Sequence, residues 1–257
     1  HRIFPGPADI RGVAQMTEPS EPLSLWPPPP LPLDGEALMP GEGQWRPHEG
    51  VANELDPPLL VTFVRNQVNR PHERTVIFAF DMRRLGLQFA AGARESDGAM
   101  GLRGVGSVPD TRRPYVIATF DGGTRLGDQP AGEMEQGRVI SSPVSGLATV
   151  ATDAFGNSVF GLWDQPSASK RWYGMRQNRS ALLEGGRVRP GIVPNWGQDL
   201  SVFDDVQAPR SAMGITEAGV LLYAWSHAST ARAIGEALRV SGAVFAAQLQ
   251  VGVNDAG

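Results

Sequence analysis

Apolar residues in this chain come in short runs, cut by glycine, proline, asparagine and aspartate. Leu59 to Val64 and Thr75 to Phe80 read as strands, the second ended by Asp81. Leu85 to Phe89 alternates apolar and other residues with period two, as a half-buried strand does. Tyr115 to Phe120 reads as a further strand and runs directly into Asp121-Gly122-Gly123. Leu147 to Thr152 and Ser158 to Trp163 flank a short link containing Gly156-Asn157, which predicts a β-hairpin. Ser211 to Thr216 and Gly219 to Trp225 predict a second hairpin around Glu217-Ala218. Ile234, Ala237 and Leu238 have helical spacing, with Arg232, Glu236 and Arg239 on the opposite face. This predicts a helix over 230–240, capped by Ser229 and closed by Gly242. Ala243 to Val251 follows as a buried strand, and another helix is expected over Gln177 to Leu183. Many strands, few helices and hairpin connections predict an α+β fold with a mixed, mainly antiparallel sheet.

The first 50 residues differ. Pro27 to Pro30 form an unbroken proline run between Trp26 and Trp45, with Pro32 and Pro40 beyond it. Polyproline is stiff and makes no internal hydrogen bonds, so it spaces or wraps rather than building a core. Residues 1–50 are therefore read as an extended N-terminal arm, pinned by the two tryptophans, that packs on the domain surface or along a protein partner. Residues 51–257 are the folded domain.

Composition narrows the chemistry. There is no cysteine, so disulfides, thiolate metal sites and cysteine nucleophiles are excluded. The four histidines (His1, His48, His72 and His227) are scattered without metal-ligand spacing, and no metal or cofactor is expected. The net charge is −4 and no basic stripe with interleaved aromatics appears, which argues against nucleic acid as a partner. No apolar run is long enough to span a bilayer. Any membrane link would come from an anchor upstream of His1.

Seven short segments, taken in order, resemble the bacterial phosphodiester glycosidase family, whose domain is shared with the enzyme that uncovers mannose 6-phosphate. Gly41-Glu42-Gly43-Gln44-Trp45 resembles its opening G-E-G-x-W. Gly101 to Pro109 resembles its glycine-rich segment, and Ala118-Thr119-Phe120-Asp121-Gly122-Gly123-Thr124 its A-x-F-N-G-G-F. Gly137-Arg138-Val139, Arg176-Gln177-Asn178, Leu183 to Gly186 and Pro209 to Gly214 resemble the later D-G-R-V, R-Q-N, L-x-x-x-G and P-R-T-A-I-G pieces. The resemblance spans about residues 37 to 251 and implies an extracytoplasmic location, periplasmic or secreted. It also implies a cleft for a sugar phosphate or glycan.

Within that implied cleft, Arg210 would bind phosphate, since guanidinium matches phosphate oxygens in pairs. Asp121 would be its catalytic companion. The backbone of Gly122 and Gly123, with Arg103, would contribute further anion contacts. Two departures fall at this chemistry. Asp121 stands where the family has Asn, adding negative charge beside a phosphate, and Gln250 stands where the family's last strand carries Asp. The expected function is thus a non-catalytic structural or interaction subunit on this fold, with hydrolysis of sugar-1-phosphodiesters as the alternative. His227 reads as a structural residue near a helix cap, and Glu133 and Asp164 have no partner visible in the sequence. Trp196 and Trp225 could stack on a sugar ring but more commonly serve packing.

Overall fold

The computed structural model describes residues 10–16, 26–33, 38–52, 54–67, 69–91, 107–123, 131–164, 172–178, 181–189 and 207–251. The chain forms two compact units, each drawn from two stretches of sequence. One combines 1–15 with 86–180, and the other combines 16–85 with 181–257. The α+β expectation holds. One α-helix and two antiparallel sheets carry the described fold.

The strands, in chain order, are β1 (Ile10–Met16), β2 (Arg46–Pro47), β3 (Leu59–Arg65), β4 (Arg74–Phe80), β5 (Glu133–Glu135), β6 (Arg138–Ser141) and β7 (Ala148–Asp153). They continue with β8 (Ser158–Trp163), β9 (Trp172–Asn178), β10 (Ala181–Glu184), β11 (Arg187–Val188), β12 (Ala208–Thr216), β13 (Leu221–Ser229) and β14 (Ala243–Val251).

The first unit holds a six-stranded sheet ordered β1-β8-β7-β9-β5-β6. Its predicted hairpin, β7 with β8, turns on Asp153. The Asp153 carboxylate accepts the backbone N–H groups of Phe155 and Asn157 at 2.8 and 3.0 Å, while Gly156 takes the left-handed conformation. The β5–β6 turn places both Gln136 (φ 51) and Gly137 (φ 76) in the left-handed region, the pair of positive angles that a tight two-residue hairpin turn requires. Met134, Ala151, Val159, Trp163, Trp172 and Met175 form a core in this unit.

The second unit holds an eight-stranded sheet ordered β11-β10-β14-β12-β13-β4-β3-β2. One face packs against helix α1 (Ala231–Val240), where Ala231, Ile234, Ala237 and Leu238 meet Leu60, Ile77, Leu182, Leu222, Ala224 and Ala246. Thr230, one residue later than expected, is the N-cap: its hydroxyl accepts the Ala233 N–H at 3.1 Å. Thr230→Ala is expected to cost about 1 kcal/mol, read as a lowered urea midpoint with an unchanged slope. Thr230→Ser should keep most of the stability.

The arm residues described here lie on the chain's own core. Leu31 is buried with the α1 cluster, and Trp26, Leu33 and Trp45 pack against it. The Trp26 indole N–H donates to the Pro57 carbonyl and that of Trp45 to the Pro29 carbonyl, at 3.2 and 3.0 Å. The two tryptophans therefore do pin the proline run. Glu42 of the G-E-G segment is buried and accepts from the Met39 N–H, the Arg65 N–H and Arg65 Nε at 2.8 to 3.0 Å.

Three elements differ from the sequence reading. Tyr115 to Phe120 is no strand: a short 3-10 turn at Arg113–Tyr115 leads into irregular backbone, with Tyr115 85%, Val116 39% and Ile117 41% exposed. Tyr115 and Val116 give their N–H groups to Arg112 and Arg113 within that turn. β-Propensity measures fit to a pleated neighbour, and none of the described strands pairs here. Gln177 to Leu183 is no helix, because its ends belong to β9 and β10 and its β9 part, Gln177 and Asn178, pairs with β7. Leu85 to Phe89 alternates in exposure but joins no ladder; Phe89 lies over Gly174 instead.

Candidate functional site

The Asp121 turn rests on the end of β9. Three consecutive β9 residues, Arg176, Gln177 and Asn178, are all buried and each has a separate task. Gln177 is a clamp. Its Oε1 accepts the N–H groups of Gly132 and Val144 at 2.8 and 2.7 Å, and its Nε2 donates to the Val144 carbonyl and the Thr149 hydroxyl. With its amide satisfied on both sides, it fixes the chain on either side of the β5–β6 hairpin.

Arg176 and Glu133 face each other across the β5–β9 register and form an ion pair of 2.7 Å, with both side chains about 5% exposed. Asn178 donates from Nδ2 to the Gly122 carbonyl at 3.2 Å. Its Oδ1 lies against Gly123, and among the described residues this buried acceptor has no hydrogen-bond donor. Gly123 has φ +122, and a Cβ there would stand 1.6 Å from Asn178 Oδ1. The close approach of the turn to β9 therefore depends on the absence of a side chain.

Asp121 is half-buried, and its Oδ1 accepts the Gly123 N–H at 3.2 Å. The carboxylate thus caps its own turn and takes up a backbone donor that would otherwise face a bound anion. The resulting cluster contains the carboxylates of Asp121 and Glu133 and the cation of Arg176.

Arg210 belongs to the second unit. It lies in β12 at 1% exposure, and its Nε donates to the Ser229 carbonyl at 2.8 Å, just before α1. Its guanidinium is part of the interior there. Gln250, on β14, is half-buried, and its backbone N–H donates to the Ser211 hydroxyl at 3.1 Å. Arg103 and Trp196 lie outside the described residues.

Of the carboxylates given no role by the sequence, Glu133 proves to be the buried partner of Arg176. The R-Q-N segment was the available signal, since a cation, an amide and an amide side by side on a strand must each find a partner. The expected helix concealed that pattern. Among the described residues no cluster of His, Cys, Asp or Glu could hold a metal, and no helix is long and apolar enough to cross a membrane. Elsewhere, Asp81 at the end of β4 takes Arg83 in a two-point ion pair. The side-chain hydrogen bond raises the Arg83 guanidinium above its already high ordinary range.

No family model matches the sequence, and no curated relative does. Among solved structures, the chain is similar to the catalytic domain of zebrafish N-acetylglucosamine-1-phosphodiester alpha-N-acetylglucosaminidase, a domain auto-inhibited by its pro-peptide. The TM-score is 0.55 at 15% identity, over 81% of this chain and 75% of that one. It is also similar to a hypothetical protein from Synechocystis, with TM-score 0.51 and 11% identity over 76% of this chain, which spans 56% of that one. The chain is thus a distant relative in fold of the phosphodiester glycosidase catalytic domain, a likeness of architecture alone.

Proposed function

We propose that the chain is a non-catalytic structural or interaction subunit on a phosphodiester-glycosidase-like fold, working outside the cytoplasm as its sequence resemblance implies. The observation that carries the reading is the Asp121 carboxylate closing on the Gly123 N–H. A phosphodiester brought to this turn would meet a fixed negative charge, with that backbone donor already taken. The interior placement of Arg210, bonded to the Ser229 carbonyl, supports the same reading.

The alternative is a hydrolase of sugar-1-phosphodiesters in envelope or exopolysaccharide glycans. One assay separates the two readings. The purified, folded chain is incubated with a panel of sugar-1-phosphodiesters beside the Asp121→Asn variant, which restores the residue the family carries. The expected result is no turnover above buffer by the wild type. Wild-type turnover that Asp121→Asn changes by tenfold or more would return the chain to the hydrolases.

A further inference from the structure

We propose that the exposed patch around Trp225, on the side of the eight-stranded sheet opposite α1, is a binding surface for a sparsely acidic glycan, with a pyranose ring stacked on Trp225 and the acidic group held by Arg74. The inference goes beyond the reading of the Asp121 turn and does not depend on it.

Alternation along β13 separates the two faces. Leu222 and Ala224 enter the core under α1, so Tyr223, Trp225 and His227 emerge on the other side. The register carries the pattern across the sheet, since Tyr223 stands opposite Phe78, Trp225 opposite Val76, and Val76 opposite Phe63. The rings fall into three groups. Phe78 lies 5.9 Å from His48 and 6.2 Å from Tyr223, Trp225 lies 6.4 Å from His227, and Arg74 stands 5.0 Å above the Phe63 ring. Trp225 is 44% exposed, His227 is exposed, and Tyr223, Phe63, Phe78, His48 and Arg74 are half-buried.

An exposed aromatic ring edged by N–H donors suits a pyranose. Its C–H face covers a ring while its hydroxyls reach the polar rim. Charge selects the class of glycan. Arg74 carries a permanent cation whose described contact is the Phe63 ring, and the nearby buried carboxylate, Glu42, is engaged by Arg65. The Arg74 cation is thus available to a carboxylate or phosphate on the ligand. Nucleic acid presents a phosphate at every nucleotide and calls for a row of cations, whereas this chain is acidic overall. A second copy placed on the same face by two-fold symmetry would bring Arg74 toward its own kind.

The test is calorimetric titration of the full chain with a glucuronate-containing gellan oligosaccharide and with the same oligosaccharide after reduction of its carboxylates to alcohols. Poly(dT) serves as the nucleic-acid arm. The expected result is binding of the acidic oligosaccharide, weaker binding of the reduced one, and none of poly(dT). Trp225→Ala should weaken both glycans about tenfold with the thermal midpoint unchanged. Arg74→Gln should weaken the acidic one alone, again about tenfold. The proposal is overturned by absence of glycan binding from folded wild type, by Trp225→Ala without effect, or by preference for poly(dT). Dimerisation seen by sedimentation, abolished by Trp225→Ala and unaccompanied by glycan binding, would assign the face to a second copy instead.

Discussion

Replacing Gly123 with alanine is expected to destabilise the chain by about 3–5 kcal/mol. The cost has two sources. Alanine must adopt φ +122, a conformation L residues rarely hold, and its Cβ would overlap the Asn178 amide at 1.6 Å from Oδ1. A single domain commonly has only ~5–15 kcal/mol in total, so the variant should melt much earlier or fail to accumulate. The clash itself can be isolated. Adding Asn178→Gly to Gly123→Ala removes the overlapping amide, and the double variant should recover part of the loss although it forfeits the bond to the Gly122 carbonyl. A double variant no more stable than the single one would show that the turn does not lie against β9 as described.

The second large effect concerns Glu133 and Arg176. Glu133→Leu is expected to cost about 3–5 kcal/mol, because it removes the carboxylate paired with a guanidinium at roughly 5% exposure. Arg176→Met should cost a similar amount for the reciprocal reason. Changing both together to Leu and Met should be far milder than the sum, since an apolar pair of similar volume avoids the desolvation of two ions. Chemical denaturation of the three variants reads the coupling directly, and additive losses would contradict a shared buried pair.

These two sites show what the sequence could and could not convey. Hairpins were legible wherever turn chemistry is local. Asp153 with Gly156-Asn157 closes β7 onto β8 as predicted, and Gly242, at φ +89, ends α1 where expected. The β9 error arose because Gln177 to Leu183 contains good helix formers, while the forces holding it come from Gly132, Val144 and Thr149, remote in sequence. Tyr115 to Phe120 has strand composition yet joins no ladder of the described sheets, and composition alone does not supply one. The Asp121 turn was found from its own residues. That its carboxylate would cap Gly123 was within local reach, whereas the Asn178 contact depends on how β9 is placed. For the Glu133–Arg176 pair, the R-Q-N segment announces a cation that needs a partner, but which carboxylate meets it follows only from the β5–β9 register. The aromatic face was half-legible: Tyr223, Trp225 and His227 alternate in the sequence, but Phe63, Phe78 and Arg74 join them only through the ladder.

The order of strands in the larger sheet also carries a consequence for how the protein is made. Strands β2, β3 and β4 reach completion only when β4 meets β13, and the whole of 86–180 is synthesised between the two. Chain closure of that span must precede the reward of the ladder, which places the unit among slow, high-contact-order folders. Until β13 leaves the ribosome, the β4 edge, with its Val-Ile-Phe-Ala-Phe run, has no strand on its far side. The early half of the chain is therefore most exposed to aggregation during translation, and a holding chaperone acting on nascent 59–80 would protect the step on which the sheet depends.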